Sequence, residues 1–457
     1  MFETIHIFHT NDIHSHFENW PQIHRFLRDK RDELEKKGDA VFVFDIGDHV
    51  DRSHPFTEGT EGKGNIQLLN DAGYDAVTIG NNEGITMSKE ALSTLYDEAR
   101  FEVIVGNLRH DNGEFPIWAK PSEIYTTASG TTIAVIGATA YYKQFYNSLG
   151  WDILPARKQL QEEIGQLTAD LCICLSHLGL PEDRLLAVEC PEIDLILGAH
   201  THHVLPEGEQ VNRSLLAATG KYGDFVGHVM LRFDTAEQKL VYSDAQLYRA
   251  VDLPMTAKDS EAIETKMNQG KRALSEEVFY NPTHLKQNLF GQSELASFFG
   301  RALIAYTDAD CALFNAGIFL SSLKKGWVTK EDMHRLLPHP INVCTMKLTG
   351  AQLFDIYYAS LDEELAHIEV KGLGFRGTLM GAMLHERLYM NARGALFAGN
   401  REVIPGETYT LATLDMFTFG FFFPLFKELD KQYYMPDLIR DVLTKYGQNH
   451  DELTTHS

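Results

Sequence analysis

HTNDIHSH, His9 to His16, follows directly on a short β-branched and aromatic run, Thr4 to Phe8, that reads as a strand. Asp12 and His14 stand two residues apart just past that strand, so a turn there aims a carboxylate and an imidazole into one cavity. Those donors suit a borderline-hard divalent metal. A lone pair of this kind also occurs as a surface loop with a helix cap, so its meaning depends on what the rest of the chain supplies.

The same pattern recurs along the first half. Pro21 to Lys37 carries Ile23, Phe26, Leu27 and Leu34 at helical spacing, an amphipathic helix for packing on a sheet. Ala40 to Phe44 is a strand that runs into DIGDHVD, placing Asp48 just beyond it. Ala76 to Ile79 runs into GNNEG, Leu171 to Leu175 into Ser176 and His177, and Ile193 to Leu197 into GAHTHH. Two further strands, Glu102 to Val105 and Thr132 to Ile136, end without obvious ligands. Strands alternating with helical segments indicate a layered α/β domain, whose functional groups gather beyond the strands' carboxyl ends.

Asp12, His14, Asp48, Asn81, His177, His200 and His202 all fall at such ends. Singly, Asp48 could cap a helix, Asn81 could occupy a left-handed turn and His177 could be a buried histidine bonded to a carbonyl. Jointly, those readings would have to hold at five strand ends. Seven donors exceed one four-coordinate ion but suit two ions sharing a carboxylate at about 3.5–4 Å. Asp48 is the choice for the shared group. Mixed Asp, Asn and His donors accept Mn, Zn, Fe or Co.

Composition bounds the rest. The 457 residues are 44% apolar and 23% charged, a folded chain of two or three domains. Lys and Arg total 41 against 64 Asp and Glu, a formal charge of -23. That balance argues against a nucleic-acid polymer or an anionic membrane as partner, and an anionic substrate then needs a local positive centre. MFETIHIFHT shows no secretory signal, and LDMFTFGFFFPLF is too short to span a bilayer. Cys172, Cys174, Cys190, Cys311 and Cys344 lack the spacing of a disulfide framework. Reduced thiols without a signal favour the cytoplasm.

HTNDIHSH, DIGDHVD, GNNEG, LSHLG and GAHTHH, in this order, resemble the motif series of the calcineurin-like metallophosphoesterases, and within them the 5′-nucleotidase family, which includes UDP-sugar hydrolases and 2′,3′-cyclic nucleotide phosphodiesterases. ATGKYGDFVGHVMLRFD looks like that family's final catalytic-domain strands, and FNAGIFLSSLKKGWVTKEDMHRLLPHPINV with KLTGAQL resembles its substrate domain. The resemblance covers nearly the whole chain. It implies a two-sheet α/β sandwich metallophosphoesterase domain over 1–255, an interdomain linker helix over 256–281 and a smaller α/β substrate domain over 282–457. Ile263, Met267, Leu274 and Val278 would line one face of a helix from Ala257 to Phe279. It further implies that Asp12, His14 and His202 hold one ion, that Asn81, His177 and His200 hold the other, and that Asp48 bridges them. The implied chemistry is metal-assisted hydrolysis of a phosphoester or pyrophosphate bond in a small nucleotide-like substrate.

Departures from the family pattern fall in the pocket. The family reads GNHE followed by Phe and Asp, a His–Asp dyad near the leaving group. Here Asn82 stands in place of the histidine and Ile85 in place of the aspartate. Asn82, the catalytic candidate, can donate a hydrogen bond to a phosphoryl oxygen but cannot exchange a proton at physiological pH. His49, His54 or His203 could replace the lost acid. In the second half, Asn315 leads to Phe319 and Leu320 with no following arginine, and the expected Pro-Phe reads Pro338 and His339. Asn315, His339, Arg376 and Phe419 are the substrate-binding candidates, with Phe417 and Phe421 competing for the aromatic role. The competing reading from another class is a metal-bound sensing or scaffold protein that has lost turnover with its dyad.

Overall fold

A computed structural model describes residues 2–455, with side chains described as far as residue 449. Two compact units divide the chain, Met1–Gly270 and Lys271–Ser457.

The first unit is built on two six-stranded sheets. Phe2–Thr10 lies at the middle of one, paired in parallel with Ala40–Asp45 and antiparallel with Phe225–Asp234. Lys239–Arg249 extends that sheet on one side, and Ala76–Val77 and Glu102–Val103 extend it on the other. The second sheet runs Glu209–Val211, Ser214–Ala217, Leu195–Gly198, Leu171–His177, Thr132–Thr139, Ser122–Thr126. Alternation along the strands explains the layering, because every second side chain faces the other sheet. Ile5, Ile7 and Phe44 from one sheet meet Val135, Ile173, Leu175 and Leu197 from the other in a single buried core. Ile136, Cys174 and Ile196 point the opposite way, onto the helical residues Leu160, Leu186 and Ala187. The helix Trp20–Glu35 starts with a proline in its first turn and buries Trp20, Ile23, Leu27 and Leu34.

Because Phe2–Thr10, Ala40–Asp45 and Ala76–Val77 are mutually parallel, as are Leu171–His177 and Leu195–Gly198, the ligand-bearing loops of each sheet emerge from one end. The strand expected to run to Ile79 ends at Val77, and the one expected to run to Val105 ends at Val103.

The helix expected from Ala257 to Phe279 stops at Ala273, and Glu277–Asn281 is a strand. Val278 therefore does not continue the helical face. Glu277–Asn281 pairs antiparallel with Gly326–Thr329, and this distant partner overrides the local 3.6-residue period.

In the second unit a five-stranded sheet runs Met383–Glu386, Cys311–Asn315, Thr408–Leu414, Asn342–Thr349, Lys431–Leu438. Ser293 caps the helix Glu294–Thr307 by accepting the Ala296 N–H at 3.1 Å. Leu295, Phe299 and Leu303 of that helix pack with Leu313, Phe314, Val343 and Leu411. All five cysteines are free thiols, four buried and Cys172 half-buried. Among the described residues, no helix is long and apolar enough to cross a membrane.

Candidate metal centre

Five of the seven expected ligands sit in left-handed backbone conformation: Asp12 (φ 51), His14 (φ 49), Asp48 (φ 53), His200 (φ 71) and His202 (φ 56). Non-glycine residues there cost on the order of 1–3 kcal/mol each and persist only where the surroundings hold them. Backbone bonds between loops do the holding. Asp12 N–H donates to Gly47 O at 3.0 Å and His14 N–H to Asp48 O at 2.7 Å. Glu83 ties the third loop in, accepting from the N–H groups of Asp48 at 3.0 Å, Gly80 at 2.9 Å and Val50 at 2.8 Å. The loops approach so closely that a Cβ at Gly80 would lie 2.0 Å from Asp48 Oδ1. Glycine is required there by space.

The donor atoms of Asp12, His14 and His202 lie within 4.8 Å of one another, as do those of Asp12, Asp48 and His177. Asp48 Oδ2 is 3.6 Å from His14 Nε2 and 3.5 Å from His177 Nε2. Asp12 Oδ1 is 3.4 Å from His202 Nε2, 3.8 Å from His14 Nε2 and 4.0 Å from His177 Nε2. Both carboxylates thus stand between the imidazoles, and Asp12 is as central as Asp48.

Two members of the set carry orphaned atoms. Asn81 Oδ1 and His177 Nε2 are buried without a hydrogen-bond partner. Buried polar atoms left unpaired are costly, and a cation-seeking oxygen and a bare imidazole nitrogen fit metal ligation. His177 Nδ1 donates to Ile46 O at 2.6 Å, which leaves Nε2 as the lone-pair nitrogen. His200 lies beside this group, its ring 5.3 Å from that of His177, its backbone N–H donating to Asp12 Oδ2 at 3.0 Å, and its Nε2 3.2 Å from the Tyr142 hydroxyl.

The electrostatics of the cluster demand positive charge. Burial alone would raise Asp12 and Asp48, yet the facing imidazoles hold both below the usual carboxylate range. Burial alone would lower His177, but Asp48 and Asp12 outweigh it and push it up to about 10. A divalent ion satisfies the same demand while leaving the imidazoles neutral.

Asn82 is buried, and its amide Nδ2 donates to Asp48 Oδ2 at 2.7 Å while its backbone N–H donates to Asp48 Oδ1 at 2.7 Å. One amide hydrogen of the side chain is thus directed at the Asp48 carboxylate. Ile85 is half-buried. None of the three alternative histidines forms a dyad with a carboxylate in the Asn82 position. His49 is buried against Trp20, with burial lowering it to about 3. His54 caps a short helix by accepting the Phe56 N–H, and His203 is exposed with Nδ1 2.8 Å from Thr201 Oγ1. Sequence reading also missed Glu83, Asp51 and Tyr142. GNNEG offered a signal for Glu83 through its fixed place after the asparagines, whereas Tyr142 is distant in sequence from every motif.

The second unit places its candidates differently. His339 is fully buried, stacked on Phe375 at 5.1 Å with 4° between the rings. Burial lowers it to about 3, so the ring is neutral, with Nε2–H donating to Ile318 O at 2.7 Å and Nδ1 accepting from Arg376 N–H at 2.8 Å. It offers no exposed face, so the ring is not placed to bind substrate as read from its position. Asn315 is buried, donating Nδ2 to Met380 O at 2.7 Å and leaving Oδ1 unpaired. Arg376 is half-buried, with Nη1 donating to Phe375 O at 3.2 Å. Of the three aromatics, Phe417 is buried, Phe419 half-buried and Phe421 75% exposed.

Residues 5–204 match the calcineurin-like phosphoesterase family, and residues 273–358 match the 5′-nucleotidase C-terminal domain. The metallophosphoesterase YunD of Bacillus subtilis is 39% identical over 456 residues, covering 97% of this chain and 99% of that protein. The trifunctional nucleotide phosphoesterase YfkN of the same organism is 24% identical over 423 residues, 81% of this chain but 28% of its own length. Among solved structures, the Haemophilus influenzae NAD nucleotidase superposes with a TM-score of 0.65 at 16% identity, covering 98% of this chain and 97% of its own. A Staphylococcus aureus protein assigned as a 5′-nucleotidase and solved with α-ketoglutarate gives a TM-score of 0.71 at 16% identity, with 98% and 97% coverage. With a relative 39% identical from end to end and a loop cluster that converges carboxylates and imidazoles, the chain belongs to the calcineurin-like phosphoesterases, as a metal-dependent phosphoester hydrolase with a 5′-nucleotidase-type C-terminal domain.

Proposed function

We propose that the protein hydrolyses a pyrophosphate-type bond in a small nucleotide-like substrate, with two divalent ions (Mn, Zn, Fe or Co) at the strand-end cluster. Asp12, His14 and His202 would hold one ion, Asn81, His177 and His200 the other, with Asp48 shared. The observation that carries this reading is the convergence of the Asp12, Asp48, His14, His177 and His202 donor atoms, together with the buried, unpaired Asn81 Oδ1. Bound there, the ions supply positive charge for phosphoryl oxygens and acidify water. They also provide the local attraction that a chain of formal charge -23 otherwise withholds from an anion.

The chain's own residues set the leaving-group preference. Asn82 has no acidic proton to transfer to a leaving group, and its amide already serves Asp48. Ile85 supplies no carboxylate in the companion position. A departing alkoxide is then unassisted, and a missing general acid costs about 10²–10⁴-fold. A departing phosphate ester needs no such help. The nucleotide phosphoesterase activity named for the YfkN relative supports a nucleotide-like substrate.

The test is a rate comparison of Mn²⁺-loaded protein on AMP, a UDP-sugar, a dinucleoside polyphosphate and a 2′,3′-cyclic nucleotide. The pyrophosphate-linked compounds are expected to turn over at least about 10²-fold faster than AMP. Asn82→His should narrow that gap by raising the AMP rate. AMP turnover equal to the others in the unmodified protein overturns the preference.

A further inference from the structure

The third residue after Asp48 is a second aspartate, Asp51, in DIGDHVD, and neither the ligand set nor the hydrolytic reading uses it. It is 1% exposed. Its two oxygens have separate partners. Oδ1 accepts the Ser53 N–H at 2.9 Å, a turn closed locally, whereas Oδ2 lies 3.2 Å from His14 Nδ1, thirty-seven positions away in sequence. The backbone N–H of Asp51 donates to Ser15 Oγ at 2.9 Å, and Ser15 Oγ also accepts from Thr57 Oγ1 at 2.8 Å and Asn65 Nδ2 at 3.1 Å. This buried network joins the residue following His14 to Asp51, so carboxylate and imidazole are fixed relative to one another.

A carboxylate only accepts, so the hydrogen in this pair belongs to His14 Nδ1. The lone pair of the ring is then on Nε2, the nitrogen that faces Asp12, Asp48 and His202. Asn82 Nδ2, 3.3 Å from the same Nδ1, donates to Asp48 instead and leaves that choice intact. His177 achieves the same orientation through a backbone carbonyl, Ile46 O. A charged acceptor makes an imidazole a more basic ligand than a neutral one does. The two halves of the centre therefore differ beyond their ligand lists.

We propose that Asp51 is a positioning residue that fixes His14 with Nε2 toward the metal and strengthens the half of the centre held by Asp12, His14 and His202. The proposal rests on the dinuclear reading above. Its effect should follow the range for outer partners of metal-bound histidines, about 10–100-fold in affinity.

Metal-free protein titrated with Mn²⁺, followed by calorimetry and by electron paramagnetic resonance, tests it alongside Asp51→Asn and Asp51→Ala. In the unmodified protein two ions should bind. Both variants should weaken one of the two by about 10–100-fold and leave the other within about 2-fold. Co²⁺-loaded protein provides a readout that a packing defect would not reproduce. The exchangeable, paramagnetically shifted Nδ1–H resonance of His14 should exchange faster or vanish in Asp51→Ala, while that of His177 stays. If the unmodified protein fails to take up two ions, the dinuclear reading falls. If it takes up two and both variants do so with its affinities, the role of Asp51 falls. It falls equally if the variants lose both ions together with the thermal stability of the metal-free protein.

Discussion

Asp48 and His339 are both buried polar side chains picked from sequence as ligand-binding groups, yet the fold treats them in opposite ways. Asp48 sits in left-handed backbone at a loop crossing, with two imidazole nitrogens about 3.5 Å from one oxygen. His339 is closed off, neutral, stacked on Phe375, with both nitrogens satisfied by backbone groups. The contrast teaches how to tell a site from a core. A site holds donors facing one another with valence to spare, as Asn81 Oδ1 and His177 Nε2 show, and it tolerates strained backbone to do so. His339 shows the other case, a buried polar ring paired at both nitrogens, because an unpaired polar atom in low dielectric is costly.

Crossed substitutions at these two positions break the contrast if it is wrong. Asp48→Asn should abolish hydrolysis of bis-(p-nitrophenyl) phosphate by Mn²⁺-loaded protein, a loss of about 10³-fold or more, while the metal-free protein still folds. His339→Ala should instead cost about 3 kcal/mol in urea unfolding, the range for truncating a buried aromatic. Equal stability losses in both, or no stability loss in His339→Ala, would erase the distinction.

A pH experiment sharpens the core side of the comparison. Burial pushes Asp415 up to about 7, against 3.8 for the free side chain, so the folded unit keeps a proton that the unfolded chain releases. Its contribution is intact below about pH 4 and is eroded as pH rises toward 7, by up to about 4 kcal/mol. Asp415→Asn should flatten the stability profile over that window, since an amide oxygen can still accept the Asn342 N–H. Parallel urea titrations at pH 4 and pH 7 check this, and an unchanged slope in the variant contradicts it.

The smallest effect concerns strain at the site. His202 holds φ 56 with its side chain 32% exposed and its Nε2 3.4 Å from Asp12 Oδ1 and 3.3 Å from His14 Nε2. His202→Gly should raise the stability of the metal-free protein by about 1 kcal/mol while weakening Mn²⁺ uptake. Unfolding of both metal-free proteins decides it, and a less stable variant would show that the imidazole's contacts to Asp12 and His14 outweigh the backbone strain.

The sequence by itself determined the layered α/β class and the loops that bear the ligands, because strand periodicity and the residue just past a strand end are local properties. HTNDIHSH, DIGDHVD, GNNEG, LSHLG and GAHTHH need only be turned out at strand ends to meet, and parallel pairing brings each sheet's loops to one end. What only the tertiary structure decided are the pairings between residues far apart in the chain. Asn82 turned onto Asp48, Asp12 standing as centrally as Asp48, Asp51 set against His14, and His339 sealed over Phe375 all depend on which loop crosses which. The end of the helix at Ala273 was hidden for the same reason, since the strand that follows it exists only through Gly326–Thr329. Local sequence sets what a side chain can do, whereas burial and partner geometry, which arise from contacts distant in sequence, set what it does.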